Sequence, residues 1–479
     1  MGRWIASSAT AAAIGYLSRS LAVSPLYPGR RVDHWDLGRI HVILTHVITN
    51  VTTMDPVLEA ERLGRKRVLN LPAPLQWNMG PDQHAQLDDI SLVLSFPCRV
   101  AVILVAGFWG WGVNLHYLLK RNIDVPALIR YPARHSSHQR PHYSSTYHLA
   151  TLLTVPLVLT LLIFWAATHG SKERVEALDY IPQSYLFIFI IIIILPYNRL
   201  ARTGRHRLLT TLRRISVGGL AEAQDGKFGD ILLADALTSY AKVLGDFVVT
   251  FCMFFGSDVS STSKPHRKCG NDYLTPLIIA APSLIRLRQC LIEYIRVRRS
   301  GPKRESTGFQ HLANALKYAT AFPVIVLSAK LRNYNPLEMY GYSEMSLSRL
   351  LYLCTFINSA YSFYWDVTKD WDLSLFTSSR LDPDHPYGLR RHRYFSDRQY
   401  YAAILVDLGI RFAWLSRFVP GFLWLTETEG GLFTMMFLEV ARRWMWIFLR
   451  VETEWVRNNR GPAPDDILLG EFNGKRDAD

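Results

Sequence analysis

Three ionisable residues, Glu439, Arg442 and Arg443, sit in the middle of residues 431–451, a stretch otherwise apolar enough to cross a membrane. At helical spacing Glu439 faces Arg442 at i+3 and Arg443 at i+4, so one side of the helix carries a carboxylate bracketed by two guanidiniums. Insertion scales charge about 2.5–3.5 kcal/mol for each ionised residue at a helix centre. These groups therefore face a protein interior or a water-filled pathway rather than lipid. Two guanidiniums in such a place suit a tetrahedral oxyanion, because the planar fork makes paired charge-assisted hydrogen bonds.

The same anomaly recurs upstream. Asp235, Thr238 and Lys242 fall at i, i+3 and i+7 and share one helix face, with Asp246 one turn further on. Arg286 and Arg288 interrupt one apolar block, and Lys317 with Tyr318 interrupts another. Asp407 and Arg411 lie at i, i+4, with Trp414 one turn beyond. Taken singly, each pair could be an ionic lock between helices. Taken together, cations on several helices with fewer acids among them describe an electropositive conduit that lowers the cost of an anion inside the membrane. Lys317 adds a point charge and Tyr318 a neutral donor. Inorganic phosphate is the natural candidate, and sulfate or a carboxylate obeys the same logic.

The elements that must position these groups are helices. The chain has 479 residues, 49% hydrophobic and 12% aromatic, with the apolar residues in blocks of about twenty rather than in amphipathic stripes. The fold class is all-α, a polytopic helical membrane protein. Spans are expected at about 97–119, 148–169, 180–197, 231–256, 272–296, 311–331, 346–367, 400–426 and 431–451, with an N-terminal segment as a tenth. Alternate loops carry 25 Lys and Arg against 6 in the opposite set, which puts 120–147, 198–216, 297–310, 368–399 and the C-terminal tail in the cytosol. That bias accounts for the net charge of +14, so nucleic acid is not expected as a partner.

Three regions divide the chain: an N-terminal segment 1–96, read as a signal anchor or first helix, a membrane domain 97–455, and a cytosolic tail 456–479. A sequon at Asn50 is usable only if that segment is lumenal. The basic loop 198–214 follows a very apolar helix and reads as a segment on the anionic cytosolic leaflet. His135, His138, His142 and His148 lack acidic or Cys partners and read as part of a solvated connector, not a metal tract. The five cysteines form no C-x-x-C; most read as small core residues, and Cys252 and Cys269 could meet near one membrane surface, a pairing the sequence leaves open. With no nucleophile elbow, metal-ligand cluster or Gly-rich phosphate loop, an enzyme is not expected, nor is a cofactor or metal.

The strings FGDILLADALTSY, PSLIRLRQCL, HLANALKYAT, YSFYWDVTKDWDL, YYAAILVDLGIRFAW and FLEVARRWMWIFLRVETEW, in this order and spacing, resemble the EXS family of membrane proteins. That family includes phosphate exporters and shorter fungal Golgi members linked to retention of lumenal ER proteins. The resemblance covers about residues 90–460 and implies a ten-helix membrane domain whose later helices form a phosphate pathway. It places that pathway on Asp235, Arg286, Lys317, Tyr318, Asp366, Asp370, Arg411, Trp414, Glu439, Arg442 and Arg443. Thr238 stands where exporters usually show Asn, which retunes the anion site, and Ile292 and Glu293 replace a basic pair. The first 96 residues do not supply the exporters' Lys-rich inositol-polyphosphate sensor, which points to the shorter Golgi type. The resemblance thus implies a multi-pass Golgi protein, cycling with the endoplasmic reticulum, that returns phosphate from lumen to cytosol in support of glycosylation and ER-protein retention. A second reading is a sorting protein that recycles cargo without transporting. Expected partners are inorganic phosphate, membrane lipids, Golgi sorting or coat factors, and a second copy in a homodimer.

Overall fold

A computed structural model describes residues 89–459 apart from 131–140, 196–201, 223–224, 257–258, 270–271, 300–304, 336–342 and 382–385. The sequon at Asn50 and most of the expected N-terminal segment and tail lie outside the described residues. Regular structure among the described residues is helical throughout, as the sequence leads one to expect. The main helices are α1 (Phe96–Lys120), α2 (His142–Thr168), α3 (Lys172–Ala177), α4 (Tyr180–Ile194), α5 (Arg202–Arg213), α6 (Lys227–Ser239) and α7 (Ala241–Gly256). They continue as α8 (Leu274–Arg299), α9 (Glu305–Ala319), α10 (Ala321–Arg332), α11 (Glu344–Trp365), α12 (Asp397–Arg411) and α13 (Glu429–Asn459).

Among the described residues, five helical stretches are long and apolar enough to cross a membrane, or six if α6 and α7 count as one bent span. The segments that fall short of that test are α11, α12 and α13, and they are among those that bring charge inside. Lipid-facing surface is clearest on α2 and α4, where Val155, Leu159, Leu162, Ile163, Ile191 and Ile194 are exposed.

Three expected spans are not continuous rods. The 231–256 block bends by 64° at Tyr240, between α6 and α7. The 311–331 block is interrupted at the single residue Thr320, between α9 and α10, whose N–H still bonds the Leu316 carbonyl at 3.0 Å, so Gly308–Arg332 remains one candidate span. The 400–426 block is helical only to Arg411, then continues as short turns over Ala413–Phe418, Pro420–Phe422 and Trp424–Glu427. Hydropathy reports that a segment is apolar, not that its axis is straight. Freed backbone groups at a break are tolerated in a membrane where neighbouring helices or a cavity satisfy them.

The longest helix, α13, packs against α1, α6, α12 and the turn at Asp366–Asp370. Gly110 of α1 permits the approach, since a Cβ there would sit 2.3 Å from the indole of Trp444. The helices around α13 are also those that carry Asp235, Asp366 and Asp407. At the cytosolic end assigned by charge, fully buried Glu452 of α13 accepts from Arg390 at 2.6 Å, from the Tyr394 backbone N–H at 2.7 Å and from the Tyr400 hydroxyl. At the other end Arg267 grips Glu429 through both terminal nitrogens at 3.0 and 3.1 Å and Asp246 at 3.2 Å. Arg267 lies two residues from Cys269, which is bonded to Cys252.

Several cations of the basic segments hold backbone carbonyls of the fold. Arg205 donates to the Leu195 carbonyl at 2.5 Å, Arg207 to the Ile129 carbonyl at 2.8 Å, and Arg296 to the Leu220 carbonyl at 2.7 Å. Arg288 donates to the carbonyls of Ser216 and Val217 in the wide turn Arg214–Gly218, which sets it apart from the other charges inside the spans.

Candidate functional site

Asp235 lies in the last two turns of α6, buried against α8 and α9. It accepts from Arg286 Nε at 2.7 Å and from the Tyr318 hydroxyl, while the Arg286 guanidinium lies 4.9 Å above the Tyr318 ring. The other end of Arg286 donates to Gln289 at 2.6 Å. Two of its three nitrogens are thus committed to acceptors inside the bundle.

Asp366 and Asp370 are the first and last residues of a π-helical turn that closes α11. Its wider spacing appears in the Trp371 N–H donating to the Asp366 carbonyl at 2.9 Å, and such turns recur at functional sites. Both carboxylates converge on Lys317 Nζ, at 2.9 and 3.2 Å. Asp366 also accepts from Arg411 and, at 3.5 Å, from Arg442, which makes it the hub of α9, α11, α12 and α13. Asp407 adds a second bridge, to Arg411 Nε at 3.2 Å and to Arg442 Nη1 at 2.7 Å. Glu439 holds the other side of Arg442 with two bonds of 2.9 and 2.6 Å.

Arg443 differs from its neighbour. It donates to Ser239 Oγ at 2.9 Å and Thr238 Oγ1 at 3.2 Å, and its guanidinium lies 4.5 Å from the Trp446 ring. No carboxylate is within ion-pair distance of it among the described residues. Ser239 in turn donates to Glu439 at 2.8 Å, and Thr238 donates back to the Asp235 carbonyl at 2.7 Å. Both hydroxyls thus spend their protons elsewhere and offer lone pairs to Arg443.

Eleven of the twelve residues expected from the sequence come together in this one network around α13. Trp414 is the exception: it sits in the turn after α12, stacked at 6.3 Å on Tyr352 and edge-on to Phe418. The expectation of fewer acids than cations is not met. Five carboxylates, Asp235, Asp366, Asp370, Asp407 and Glu439, face Arg286, Lys317, Arg411, Arg442 and Arg443, and Arg450 approaches Asp370 at 4.0 Å while pairing with Glu454 at 3.0 Å. A formally balanced set is what makes burial of so many charges tolerable. Ser239 and Gln289 were missed, since a hydroxyl or amide in an apolar helix carries no distinguishing spacing. Asp407 was visible as a charge inside a span but its partnership with Arg442 was not.

The sequence profile of the EXS family matches residues 94–456, a range that contains every residue of the network. This chain belongs to the EXS family. Relatives include Protein ERD1 homolog 1 of Schizosaccharomyces pombe, 30% identical over 383 residues, covering 77% of this chain and 94% of that protein. Protein ERD1 of Saccharomyces cerevisiae is 26% identical over 370 residues, covering 75% and 92%. The Xenotropic and polytropic retrovirus receptor 1 homolog of Xenopus laevis is 27% identical over 305 residues, covering 60% of this chain and 39% of the receptor homolog. For an EXS protein of this length, the all-helical membrane domain and the resemblance read from its motifs both hold.

Proposed function

We propose that this EXS protein is an anion transporter of the Golgi membrane that returns inorganic phosphate from lumen to cytosol. The observation that carries the reading is the contrast between Arg442 and Arg443. Arg442 is held by three carboxylates, whereas Arg443 is held by two hydroxyls and a ring face at the bend between α6 and α7. Hydroxyls and a ring face form no direct ion pair with the guanidinium, so an oxyanion can take its N–H groups without displacing a paired carboxylate. Arg442, Arg411 and Lys317 lie next in line through Asp366 and Asp407, and a dianion moving along them would exchange one set of charge-assisted bonds for another.

Phosphate released in the lumen as glycosyltransferases use sugar nucleotides is the proposed cargo, so transport supports glycosylation and, through it, retention of lumenal ER proteins. The tail is proposed to be cytosolic, and Golgi sorting factors, lipids and a second copy are its proposed partners. The test is phosphate flux into liposomes that contain only the purified protein. Flux that depends on Arg443 supports the reading; a folded protein with no flux would favour the sorting role instead.

A further inference from the structure

Lys242 belongs to none of the contacts described so far. It is the second residue of α7, just past the bend at Tyr240 and four residues after Thr238, the hydroxyl that holds Arg443. The residue is exposed, and the charges that act on it come from several elements: Glu439 of α13, Asp246 of its own helix, Arg267 of the loop after α7 and Arg332 at the end of α10. No carboxylate lies within ion-pair distance of Lys242 among the described residues. The two acids near it are engaged elsewhere, Asp246 with Arg267 at 3.2 Å and Glu439 with Arg442 at 2.6 Å.

An ammonium inside a helical bundle is normally paired, reaches an interface or faces a water-filled pathway. The third case fits here. The side chain of Glu439, one of the acids acting on Lys242, is 36% exposed although its partner Arg442 is only 1% exposed, so solvent reaches the α13 ridge at Glu439. With its two acids neutralised by other cations, that space keeps the charge of Lys242, reinforced by Arg332.

We propose that Lys242 is the centre of an outer binding site for an inorganic oxyanion, in a vestibule open toward the Cys252–Cys269 side, from which the anion passes to Arg443. The proposal rests on the transport reading and extends it to a second, upstream site. A single accessible ammonium captures an anion by charge and keeps it weakly, as multi-site conduction requires. Arg443, held by Thr238 four residues before Lys242, supplies the geometrically demanding second stage.

The experiment compares wild type, Lys242→Gln and Lys242→Arg in liposomes of known protein orientation, with phosphate varied on each face at low and high ionic strength. Loss of the ammonium is expected to raise half-saturating phosphate about three- to tenfold on the Cys252–Cys269 face alone, with maximal flux unchanged. That difference should shrink at high ionic strength, and Lys242→Arg should behave like wild type. Equal half-saturation on that face, a shift on both faces, or loss of maximal flux would each overturn the outer site. So would failure of Lys242→Gln to assemble, since an accessible unpaired side chain tolerates that change. A wild-type protein without flux removes the transport reading itself, whereas normal wild-type flux with an unaltered Lys242→Gln removes only the outer site.

Discussion

Arg442 of α13 and Asp407 of α12 meet at 2.7 Å with side chains 1% and 0% exposed. The same carboxylate holds Arg411 Nε at 3.2 Å, so one acid fixes two guanidiniums from two elements. Removing one partner of a buried pair strands the other and typically costs about 3–5 kcal/mol, more than an exposed pair could account for. Asp407→Asn keeps the shape and removes the charge. The expected outcome is a clearly lower melting temperature in detergent and a weakened α12–α13 contact. An unchanged melting temperature would show that Asp407 is dispensable to the network.

Arg442 and Arg443 are chain neighbours with opposite expected phenotypes. Arg442→Gln leaves Asp407, fully buried, and Glu439 each without a cation they now hold, so it should impair assembly as well as transport. Arg443→Gln gives up bonds to two hydroxyls and a ring, so the protein should assemble normally while anion affinity drops roughly ten- to a hundredfold, the worth of one charge-assisted bond. Lysine at 443 should restore part of the loss, keeping the charge without the fork. The comparison is made on monodisperse protein by size exclusion and on phosphate flux from the same preparations. An Arg443→Gln protein with wild-type flux would falsify the assignment of Arg443 to the anion.

Asp235 repels an anion, so its expected role is to position Arg286 and Tyr318. Arg286→Lys and Asp235→Asn should then lower flux alike, and combining them should lower it little further, because each breaks the same 2.7 Å contact. Strictly multiplicative losses in the double variant would mean the two residues act separately.

Much of this network could be read from the sequence because charge inside an apolar block is rare and has few physical explanations. Glu439, Arg442 and Arg443 stand out by helical spacing alone, as do Asp407 and Arg411. Asp366 and Asp370 do not, since they fall at the end of α11 where a charged turn is ordinary; only family motifs single them out, and the π turn that aims both at Lys317 has no periodic signature. The breaks at Tyr240 and Thr320 were hidden for a related reason. Neither residue is Pro or Gly, and helix-compatible residues continue across both. Arg288 misled in the opposite direction: it interrupts a span as Arg286 does, two residues away, but the helix turns it toward the carbonyls of Ser216 and Val217. Trp414 follows α12 in sequence at helical spacing, but the helix has already ended at Arg411, which sends the indole to an aromatic cluster instead.

The last prediction concerns orientation and uses two unrelated signals. By the Lys and Arg bias, the loop after Gly256 is expected in the lumen and the C-terminal tail in the cytosol. The Cys252–Cys269 bond lies on that loop, and disulfides persist in oxidising compartments such as the secretory lumen. A bond closing 17 residues of chain contributes about 3 kcal/mol by the loop-entropy account, and here it also anchors the strand of chain that carries Arg267 to Glu429 and Asp246. Cys98, Cys290 and Cys354 are free thiols. Protein unfolded without reductant should therefore take up a thiol-reactive mass tag at three cysteines, and after reduction at all five that the chain contains. In sealed Golgi vesicles, a protease added outside should remove an epitope fused after Asp479 and spare one inserted near Ser261. Five tags without reductant would exclude the bond. A protected C-terminal epitope beside a cleaved loop would invert the orientation, and with it the direction in which Lys242 and Arg443 would meet the anion.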